Sequence, residues 1–246
     1  MGMAGIQLDA IGFDADDTLW HSENLYADTQ DKFRALLAGY GVTGGVDERL
    51  LQTEMRNLQF YGYGVKGFTL SLIETAVDLT EGRIAGDDIQ RIIGWARQMM
   101  TADIRMLDHA QETLETLAAG HDLMLITKGD LFDQENKIAR SGLRPYFRRV
   151  EIVTDKTRDR YAAVLARHGV APARFLMVGN SMRSDILPVL ALGGRAVYIP
   201  YHIAWAHEHA APADGAGDRC YVLDHLGLLP ALIQMLAGGQ SMQDDL

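Results

Sequence analysis

An acidic turn near the start of the chain is the first place where the sequence could do chemistry. Asp14, Asp16 and Asp17 put three carboxylates within four positions, directly after an apolar run. Close negative charges repel one another unless a cation or a ligand offsets them, and Mg²⁺ readily takes carboxylate oxygens. One interpretation is therefore a cation-dependent site. The other is a solvated turn in which Asp17 or Thr18 caps a following helix, and the turn alone favours neither.

The acidic turn follows the first of several short apolar runs that predict β-strands. These runs are too apolar to leave one face in water, as is typical of parallel strands buried on both sides; they lie at residues 8–13, 122–126, 150–153, 174–178 and 196–199. Amphipathic stretches alternate with them at residues 110–119, 131–141, 158–167, 185–192 and 226–236. This order predicts an α/β fold, a doubly wound, Rossmann-like parallel sheet. Such sheets bind ligands at the carboxyl ends of their strands, where the acidic turn lies.

The distance between the first two predicted strands breaks this pattern. A strand–helix–strand crossover needs about 30 residues, yet the second strand begins near residue 122. The surplus has helical spacing of its apolar residues, at 23–38, 47–59, 67–79 and 87–100. We therefore expect an α-helical domain over residues 20–105, inserted into an α/β core made of residues 1–19 and 106–246.

Composition excludes several classes of protein. The chain has 246 residues, of which 48% are hydrophobic, and its formal net charge is −10. This apolar content rules out wholesale disorder, and the acidic balance argues against nucleic-acid or anionic-membrane surfaces as partners. A single cysteine, Cys220, can form neither an internal disulfide nor a thiolate metal cluster. The N-terminus lacks the pattern of a secretory signal, so we expect a cytoplasmic protein.

The turn also carries a family resemblance. Asp14-Ala15-Asp16-Asp17-Thr18-Leu19 resembles the first motif of the haloacid dehalogenase (HAD) superfamily, DxDxT followed by leucine. The resemblance implies that Asp14 is a nucleophile that attacks phosphorus and forms an aspartyl-phosphate. It implies that Asp16 is the general acid for the leaving group and the general base for the hydrolytic water.

Two later residues match the next motifs of that superfamily. Thr127 follows the second predicted strand and Lys156 follows the third. The resemblance implies that Thr127 binds phosphate oxygens and that Lys156 neutralises the nucleophile and the phosphoryl group. Lys128 competes for the role of Lys156, but its position puts it in the second motif, as a substrate-binding residue. Taken singly, Thr127 is better explained as part of a helix N-terminus before Leu131, and a lone lysine is usually a surface residue.

The fourth motif departs from the family pattern. The sequence after the fourth strand is Gly179-Asn180-Ser181-Met182-Arg183-Ser184-Asp185. The resemblance implies a Mg²⁺ ion held by Asp14, Asp16 and Asp185. Asn180 stands where an aspartate is common, so one negative charge is lost and Mg²⁺ binding is expected to weaken; the Asn180 amide or Ser181 can still contact the ion, its water or the substrate.

The resemblance allows more than one reaction. Haloacid dehalogenases use the first aspartate but carry no acid two positions later, because halide leaves without a proton. Asp16 and Asp185 therefore favour hydrolysis of a small phosphorylated metabolite, with dehalogenation or a non-catalytic binding or regulatory role as alternatives. The inserted helices match the family's C1-type cap. Oligomeric state, monomer or homodimer, stays open.

Specificity residues are harder to predict. Candidates near the turn and in the inserted helices are Trp20, His21, Glu23, Arg56, Tyr61, Tyr63 and Lys66, each of which could instead pack a core. After the fifth strand, His202, His207 and His209 match no defensible zinc spacing. We expect these histidines to line the pocket rather than to bind a metal.

Overall fold

The protein is described from a computed structural model, for residues 5–203, 205–208 and 217–239. The chain divides into two compact units. The first, here called the α/β unit, contains Met1–His21, Ile104–Thr127 and Ile138–Leu246; the second, the helical unit, contains Ser22–Asp103 and Lys128–Lys137. The borders expected for the inserted domain, at residues 20 and 105, stay a prediction.

A six-stranded parallel sheet confirms the predicted fold class. Its spatial order is β3-β2-β1-β4-β5-β6, so the first strand in sequence lies at the centre. β1 pairs in parallel with both β2 and β4, which places the carboxyl ends of these strands at one edge. The strands are β1 Ala10–Phe13, β2 Leu123–Lys128, β3 Arg149–Val153, β4 Phe175–Gly179, β5 Arg195–Tyr198 and β6 Cys220–Val222.

Apolar layers cover both faces of the sheet. Ile11 and Phe13 of β1 belong to one buried cluster, together with residues of the helices that begin at Ala110 and Leu229. Ala10, which points to the opposite face, belongs to a second cluster with Val164 of the helix that begins at Arg158. Burial on both sides explains why these strands have continuous rather than alternating apolar sequences.

Nine α-helices occur in the described residues. They are α1 Glu23–Ala38, α2 Val46–Tyr61, α3 Val65–Leu79, α4 Gly86–Thr101, α5 Ala110–Ala118, α6 Leu131–Ser141, α7 Arg158–Arg167, α8 Leu187–Ala191 and α9 Leu229–Gly238. Among them none combines the length and the apolar character that crossing a membrane requires.

Helices α1–α4 have a buried core of their own. Phe33, Leu50, Leu72 and Ile92 are each at most 1% exposed and belong to one apolar cluster. They come from α1, α2, α3 and α4 in turn, at positions that the helical spacing of the sequence predicts. This part of the helical unit therefore packs as a small bundle.

Two elements differ from the sequence prediction. β6 was not expected, because a three-residue strand at the sheet edge leaves too short an apolar run to recognise. The helix predicted at residues 185–192 begins instead as one π turn, Met182–Ile186, before α8. Asp185 and Ile186 both donate their N–H to the carbonyl of Ser181, at 2.8 and 3.3 Å, which inserts the extra residue that makes a π turn.

Candidate active site

Asp14 begins the loop at the carboxyl end of β1. Its main-chain N–H donates to the carbonyl of Val178 at the end of β4, 2.9 Å away, so the residue is fixed between neighbouring strands. The loop then closes tightly, since Leu19 donates its N–H to the carbonyl of Ala15 at 2.8 Å. Asp17 has a φ of 60°, in the left-handed region that aspartate tolerates better than most residues. The turn thus buries Asp14 instead of exposing it.

Lys156 joins two of the predicted carboxylates. Its Nζ donates to Oδ1 of Asp14 and, at 2.6 Å, to Oδ1 of Asp185. The three side chains are 2%, 10% and 1% exposed, respectively. One ammonium group therefore contacts two carboxylates in a space that water barely reaches. These residues come from the ends of β1 and β3 and from the π turn after β4, as the predicted sheet edge requires.

The packing around Asp185 depends on a glycine. A Cβ built on Gly179 would lie 2.3 Å from Oδ2 of Asp185, so no larger residue fits there without moving the acid. Oδ2 also accepts the main-chain N–H of Ser181 at 3.0 Å. The hydroxyl of Tyr161 lies 3.5 Å from Oδ1. Tyr161 is buried and was not predicted as a site residue, because an aromatic residue at helical spacing is normally read as core.

Asp16 is placed two residues beyond Asp14 and has its own partner. Its Oδ1 accepts a hydrogen bond of 2.7 Å from Nε1 of Trp20, a side chain that is 1% exposed. Asp16 and Trp20 also form a parallel β-bridge. Trp20 was expected to contact substrate or to pack a core. It belongs to the buried apolar cluster that also contains Phe13, and its indole N–H in addition donates to the carboxylate of Asp16.

Asn180 faces the other oxygen of Asp14. Oδ2 of Asp14 accepts a hydrogen bond of 3.1 Å from the hydroxyl of Thr18. In the amide orientation that satisfies Asn180, its nitrogen lies 3.2 Å from the same oxygen and 3.3 Å from the main-chain oxygen of Asp16. The two oxygens of Asp14 therefore have different surroundings, a lysine on one side and an amide on the other.

Thr127 and Lys128 end β2. Phe13 pairs with Leu125 across the sheet, so Thr127 lies at the same strand edge as Asp14, and it is 1% exposed. Lys128 belongs to the helical unit, where its Nζ lies 4.2 Å from the centre of the Tyr63 ring. Lys66, also in the helical unit, pairs with Asp130 at 2.9 Å. The predicted roles of Thr127 and Lys128 in substrate binding stay predictions.

Burial changes the proton affinities at the centre. It raises the pKa of Asp14 from 3.8 to about 7; the charge of Lys156 opposes the rise, and Asp185 and Asp16 add to it. Burial would lower the pKa of Lys156, but Asp14 and Asp185 more than offset this, so the lysine stays charged with its pKa above the usual value. The pKa of Tyr161 is raised by burial and by the nearby acids, so its hydroxyl stays protonated.

The donor set around Asn180 fits a divalent cation. Oδ2 of Asp14 and the carbonyl oxygen of Asp16 both lie within 3.3 Å of the Asn180 amide. Turning that amide over would present a third oxygen, and oxygen donors of these kinds suit Mg²⁺. In the described parts of the chain, no group of three or more His, Cys, Asp or Glu side chains could hold a metal ion. The fit therefore depends on a main-chain carbonyl and an amide as well as on acids.

The segment after β5 reaches the same edge of the sheet. His21 Nδ1 and the hydroxyl of Tyr201 lie 2.6 Å apart, and the Tyr201 ring packs against His202. The ring of His207 packs against Trp205. His209 lies outside the described residues. Neither His202 nor His207 belongs to a metal-binding group among the residues described, and their expected place in the pocket lining stays a prediction.

The sequence matches a known family over most of its length. Residues 8–193 match a family model described as "Hydrolase: haloacid dehalogenase-like hydrolase". The chain belongs to the haloacid dehalogenase-like hydrolases. This confirms the resemblance of its motifs, whereas the C1-type cap and the phosphatase branch stay predictions.

Solved structures of HAD-like hydrolases share the fold. A haloacid dehalogenase-like family hydrolase from Xanthomonas campestris is 40% identical, with 96% of this chain and 97% of that chain covered and a TM-score of 0.83. A 2-haloacid dehalogenase from Pseudomonas syringae is 22% identical, covering 94% and 100%, with a TM-score of 0.63. A predicted phosphoglycolate phosphatase from Haemophilus somnus is 18% identical, covering 92% and 98%, with a TM-score of 0.61. The last two show the fold alone. We found no match among curated proteins.

Proposed function

We propose that this HAD-like hydrolase is a Mg²⁺-dependent phosphohydrolase that acts on a small phosphorylated metabolite. The observation that carries the proposal is the carboxylate of Asp16, held by the Trp20 indole two residues after the buried Asp14. An acid at this position serves a leaving group that needs a proton, as an alkoxide does. A departing halide needs none, so a dehalogenase would gain nothing from Asp16.

The first half of the reaction transfers the phosphoryl group to Asp14. An ionised oxygen of Asp14 attacks phosphorus, the bond from phosphorus to the ester oxygen breaks, and Asp16 gives its proton to that oxygen. Lys156, fixed by two carboxylates, supplies positive charge beside the nucleophile. The predicted role of Thr127 is to donate its hydroxyl to an oxygen of the phosphoryl group.

The second half returns the enzyme to its starting state. Asp16, now a carboxylate, takes a proton from water, and the water oxygen attacks the phosphorus of the aspartyl-phosphate. The bond from phosphorus to Asp14 breaks, and inorganic phosphate leaves. Asp16 thus acts once as an acid and once as a base, which requires that its carboxylate stay in one place throughout.

The proposed cation site is the predicted set Asp14, Asp16 and Asp185. Because no three acid side chains of the described residues form a metal-binding group, its oxygens would come from the Asp14 carboxylate, the main-chain carbonyl of Asp16 and the Asn180 amide. Bound Mg²⁺ would neutralise charge on the phosphoryl oxygens. Asp14 and the main-chain oxygen of Asp16 lie against Asn180, whereas Asp185 is joined to Asp14 through Lys156. Burial raises the pKa of Asp14 to about 7, and a nearby positive charge would favour the ionised form that the reaction requires.

Two alternatives have specific support. A dehalogenase is favoured by the buried Asp14 beside Lys156, since this carboxylate could attack carbon as well as phosphorus. A non-catalytic binding or regulatory role is favoured only by Asn180, which removes a charge from the fourth motif.

An activity screen separates these functions. Purified protein is given p-nitrophenyl phosphate, a panel of phosphorylated metabolites and 2-chloropropionate, each with Mg²⁺ or with EDTA. We expect phosphate release that requires Mg²⁺ and is lost in Asp14→Asn. Halide release that survives EDTA would instead identify a dehalogenase, and no turnover of any substrate above the Asp14→Asn control would favour the non-catalytic role.

The remaining expectations follow from the same proposal. Residues 20–105 would act as a C1-type cap that sets specificity, with Lys128 and Asn180 as further substrate contacts. The partner would be a small phosphorylated molecule, bound by a cytoplasmic monomer or homodimer without nucleic acid or membrane.

Exchanging residues 20–105 for those of the Xanthomonas relative, and repeating the screen, tests the specificity role: the preferred substrate should change with the exchanged segment.

A further inference from the structure

The turn that carries Asp185 is tied to a carboxylate far along the chain. Oε2 of Glu208 accepts a hydrogen bond of 2.6 Å from the hydroxyl of Ser184 and another from the hydroxyl of Ser181. Nη1 of Arg183 donates to the carbonyl of His207 at 3.2 Å. Three hydrogen bonds thus join the end of the segment after β5 to the π turn after β4 and to Ser181, the residue before that turn.

Ser181 connects Glu208 directly to the proposed cation site. It follows Asn180 in the chain, its N–H donates to Oδ2 of Asp185 at 3.0 Å, and its hydroxyl donates to Glu208. The same hydroxyl accepts the N–H of Ser184 at 3.0 Å. Both serines are at most 8% exposed. Hydrogen bonds to a charged acceptor are about twice as strong as neutral ones, so Glu208 fixes both hydroxyls and, with them, the N–H that orients Asp185.

The charge of Glu208 also affects a buried residue beside Asp185. It contributes, with Asp185 and Asp14, to raising the pKa of the buried Tyr161. A negative charge therefore acts on this edge of the sheet although position 180 is a neutral asparagine. Glu208 lies in the segment after β5, whereas Asn180, the neutral residue of the fourth motif, lies after β4.

We propose that Glu208 supplies the carboxylate charge that position 180 lacks and is a positioning residue for the divalent cation, acting through Ser181 and Ser184. The proposal rests on the Mg²⁺ site of the proposed function. It differs from a purely structural role for Glu208, in which the carboxylate only fastens one loop to another.

Mg²⁺ affinity, measured by calorimetry without substrate, tests the proposal in the full chain. Glu208→Gln keeps an acceptor oxygen for the serines but removes the charge. We expect it to weaken Mg²⁺ binding about 10- to 100-fold, the range for outer partners of metal ligands. Glu208→Asp, which keeps the charge, should restore most of the affinity. The matched control is Glu115→Gln, since Glu115 accepts a 2.6 Å hydrogen bond from Tyr146 on an exposed surface.

A second substitution makes the test specific. Asn180→Asp in the Glu208→Gln background returns the missing charge to the fourth motif, and we expect it to recover Mg²⁺ affinity. Unchanged affinity in Glu208→Gln, an equal loss in Glu115→Gln, or no recovery with Asn180→Asp would each overturn the proposal, as would a wild-type protein that binds no Mg²⁺. If the affinities follow the expected pattern while no phosphate ester is hydrolysed, Glu208 keeps this role and the proposed activity fails.

Discussion

The buried trio of Asp14, Lys156 and Asp185 carries an unbalanced charge. One ammonium group faces two carboxylates in a region from which water is largely excluded. Removing charges from water is costly even when they are paired, and here one negative charge has no partner within the trio. A further cation beside the trio would offset this charge, which agrees with the proposed Mg²⁺ site.

Neutralising Asp14 should stabilise the protein at alkaline pH. Its pKa is higher in the folded chain, about 7, than the ordinary 3.8. The stability it contributes is therefore fully present below pH 3.8 and is lost as pH rises through about 7. We expect Asp14→Asn to raise the free energy of unfolding at pH 8 by on the order of 3 kcal/mol, and to change it little at pH 4.

Urea unfolding in EDTA at the two pH values measures this difference. Asp159→Asn is the matched control, because the Asp159 side chain is 92% exposed and its pairing with Arg158 is solvated. It should change stability little at either pH. An Asp14→Asn protein that is less stable than the wild type at pH 8 would contradict the raised pKa.

Trp20 should matter most for substrates whose leaving group needs a proton. Trp20→Phe removes the N–H that holds Asp16, so the acid loses its orientation but remains present. We expect kcat on an alkyl phosphate to fall about 10-fold, and by a larger factor, about 10²–10⁴, in Asp16→Asn. p-Nitrophenol leaves readily without protonation, so its release should change little in Trp20→Phe.

Comparing the two substrates distinguishes a role of Trp20 in orienting Asp16 from a general loss of packing in the variant. Trp20 is almost fully buried, so Trp20→Phe also alters packing, and thermal unfolding should be recorded beside the kinetics. Trp95→Phe is the control for loss of an indole, since Trp95 is partly buried against the apolar core of the helical unit. Equal losses on both phosphates in Trp20→Phe would show that Trp20 acts only through the fold.

The residues that meet at the site could be predicted from the sequence where they belong to a recognisable motif. Asp14, Lys156 and Asp185 were expected to converge, and they are joined by direct contacts. The partners that hold them were not predicted: Glu208 follows its serines by more than twenty positions, and no spacing in the sequence connects them. Such contacts depend on how a loop returns to the sheet, which local patterns do not encode.

At the scale of elements, the π turn after β4 determines the direction of the Asp185 side chain in the fourth motif. The extra residue in this turn brings Asp185 back beneath Gly179, with its carboxylate toward Lys156. A regular helix was predicted here because the apolar spacing of 185–192 is helical. The deviation was not visible, since the hydrogen bonds that form a π turn involve main-chain atoms.

Gly179→Ala should disturb this turn. The added Cβ would lie 2.3 Å from Oδ2 of Asp185, so the acid or the turn must move. Overpacking of this kind costs about 1–3 kcal/mol, and we expect weaker Mg²⁺ binding together with that loss of stability. Calorimetric titration with Mg²⁺ and urea unfolding measure the two effects on the same sample.

Gly94→Ala is the matched control for that substitution. Gly94 lies within α4, and nothing approaches within 4 Å of a Cβ built there. Since alanine favours the helix by about 1 kcal/mol over glycine, stability should rise and Mg²⁺ affinity should stay unchanged. A Gly179→Ala protein that binds Mg²⁺ as tightly as the wild type would show that Asp185 need not stay where it lies.

At the scale of the whole molecule, net charge and local charge have different consequences. The chain carries a formal charge of −10, which would repel an anionic substrate at long range. The site counters this with Lys156 and, in our proposal, with a divalent cation. Because a ligand that binds only the folded state stabilises it, the cation should also strengthen the molecule that binds it.

Mg²⁺ should therefore raise the melting temperature of the protein. At a concentration of a hundred times its Kd we expect about 2.7 kcal/mol of stabilisation, or a rise of roughly 5–10 °C for a unit of this size. Differential scanning calorimetry at pH 8 with MgCl₂, against NaCl of equal ionic strength, measures it. The rise should disappear in EDTA and in Asp14→Asn; an equal rise in Asp14→Asn would place the bound ion elsewhere.

The central position of β1 has a consequence for how the chain is made. β1 leaves the ribosome before the other five strands of the sheet, and both of its neighbours, β2 and β4, come after helices α1–α4. At about 5–20 residues per second, an apolar strand with two open edges waits for roughly 5–20 s before its first neighbour emerges. Helices α1–α4, which have their own core, can fold during that interval. The length of chain between β1 and β2 thus sets how long a nascent chain exposes this apolar strand to chaperones and to other nascent chains.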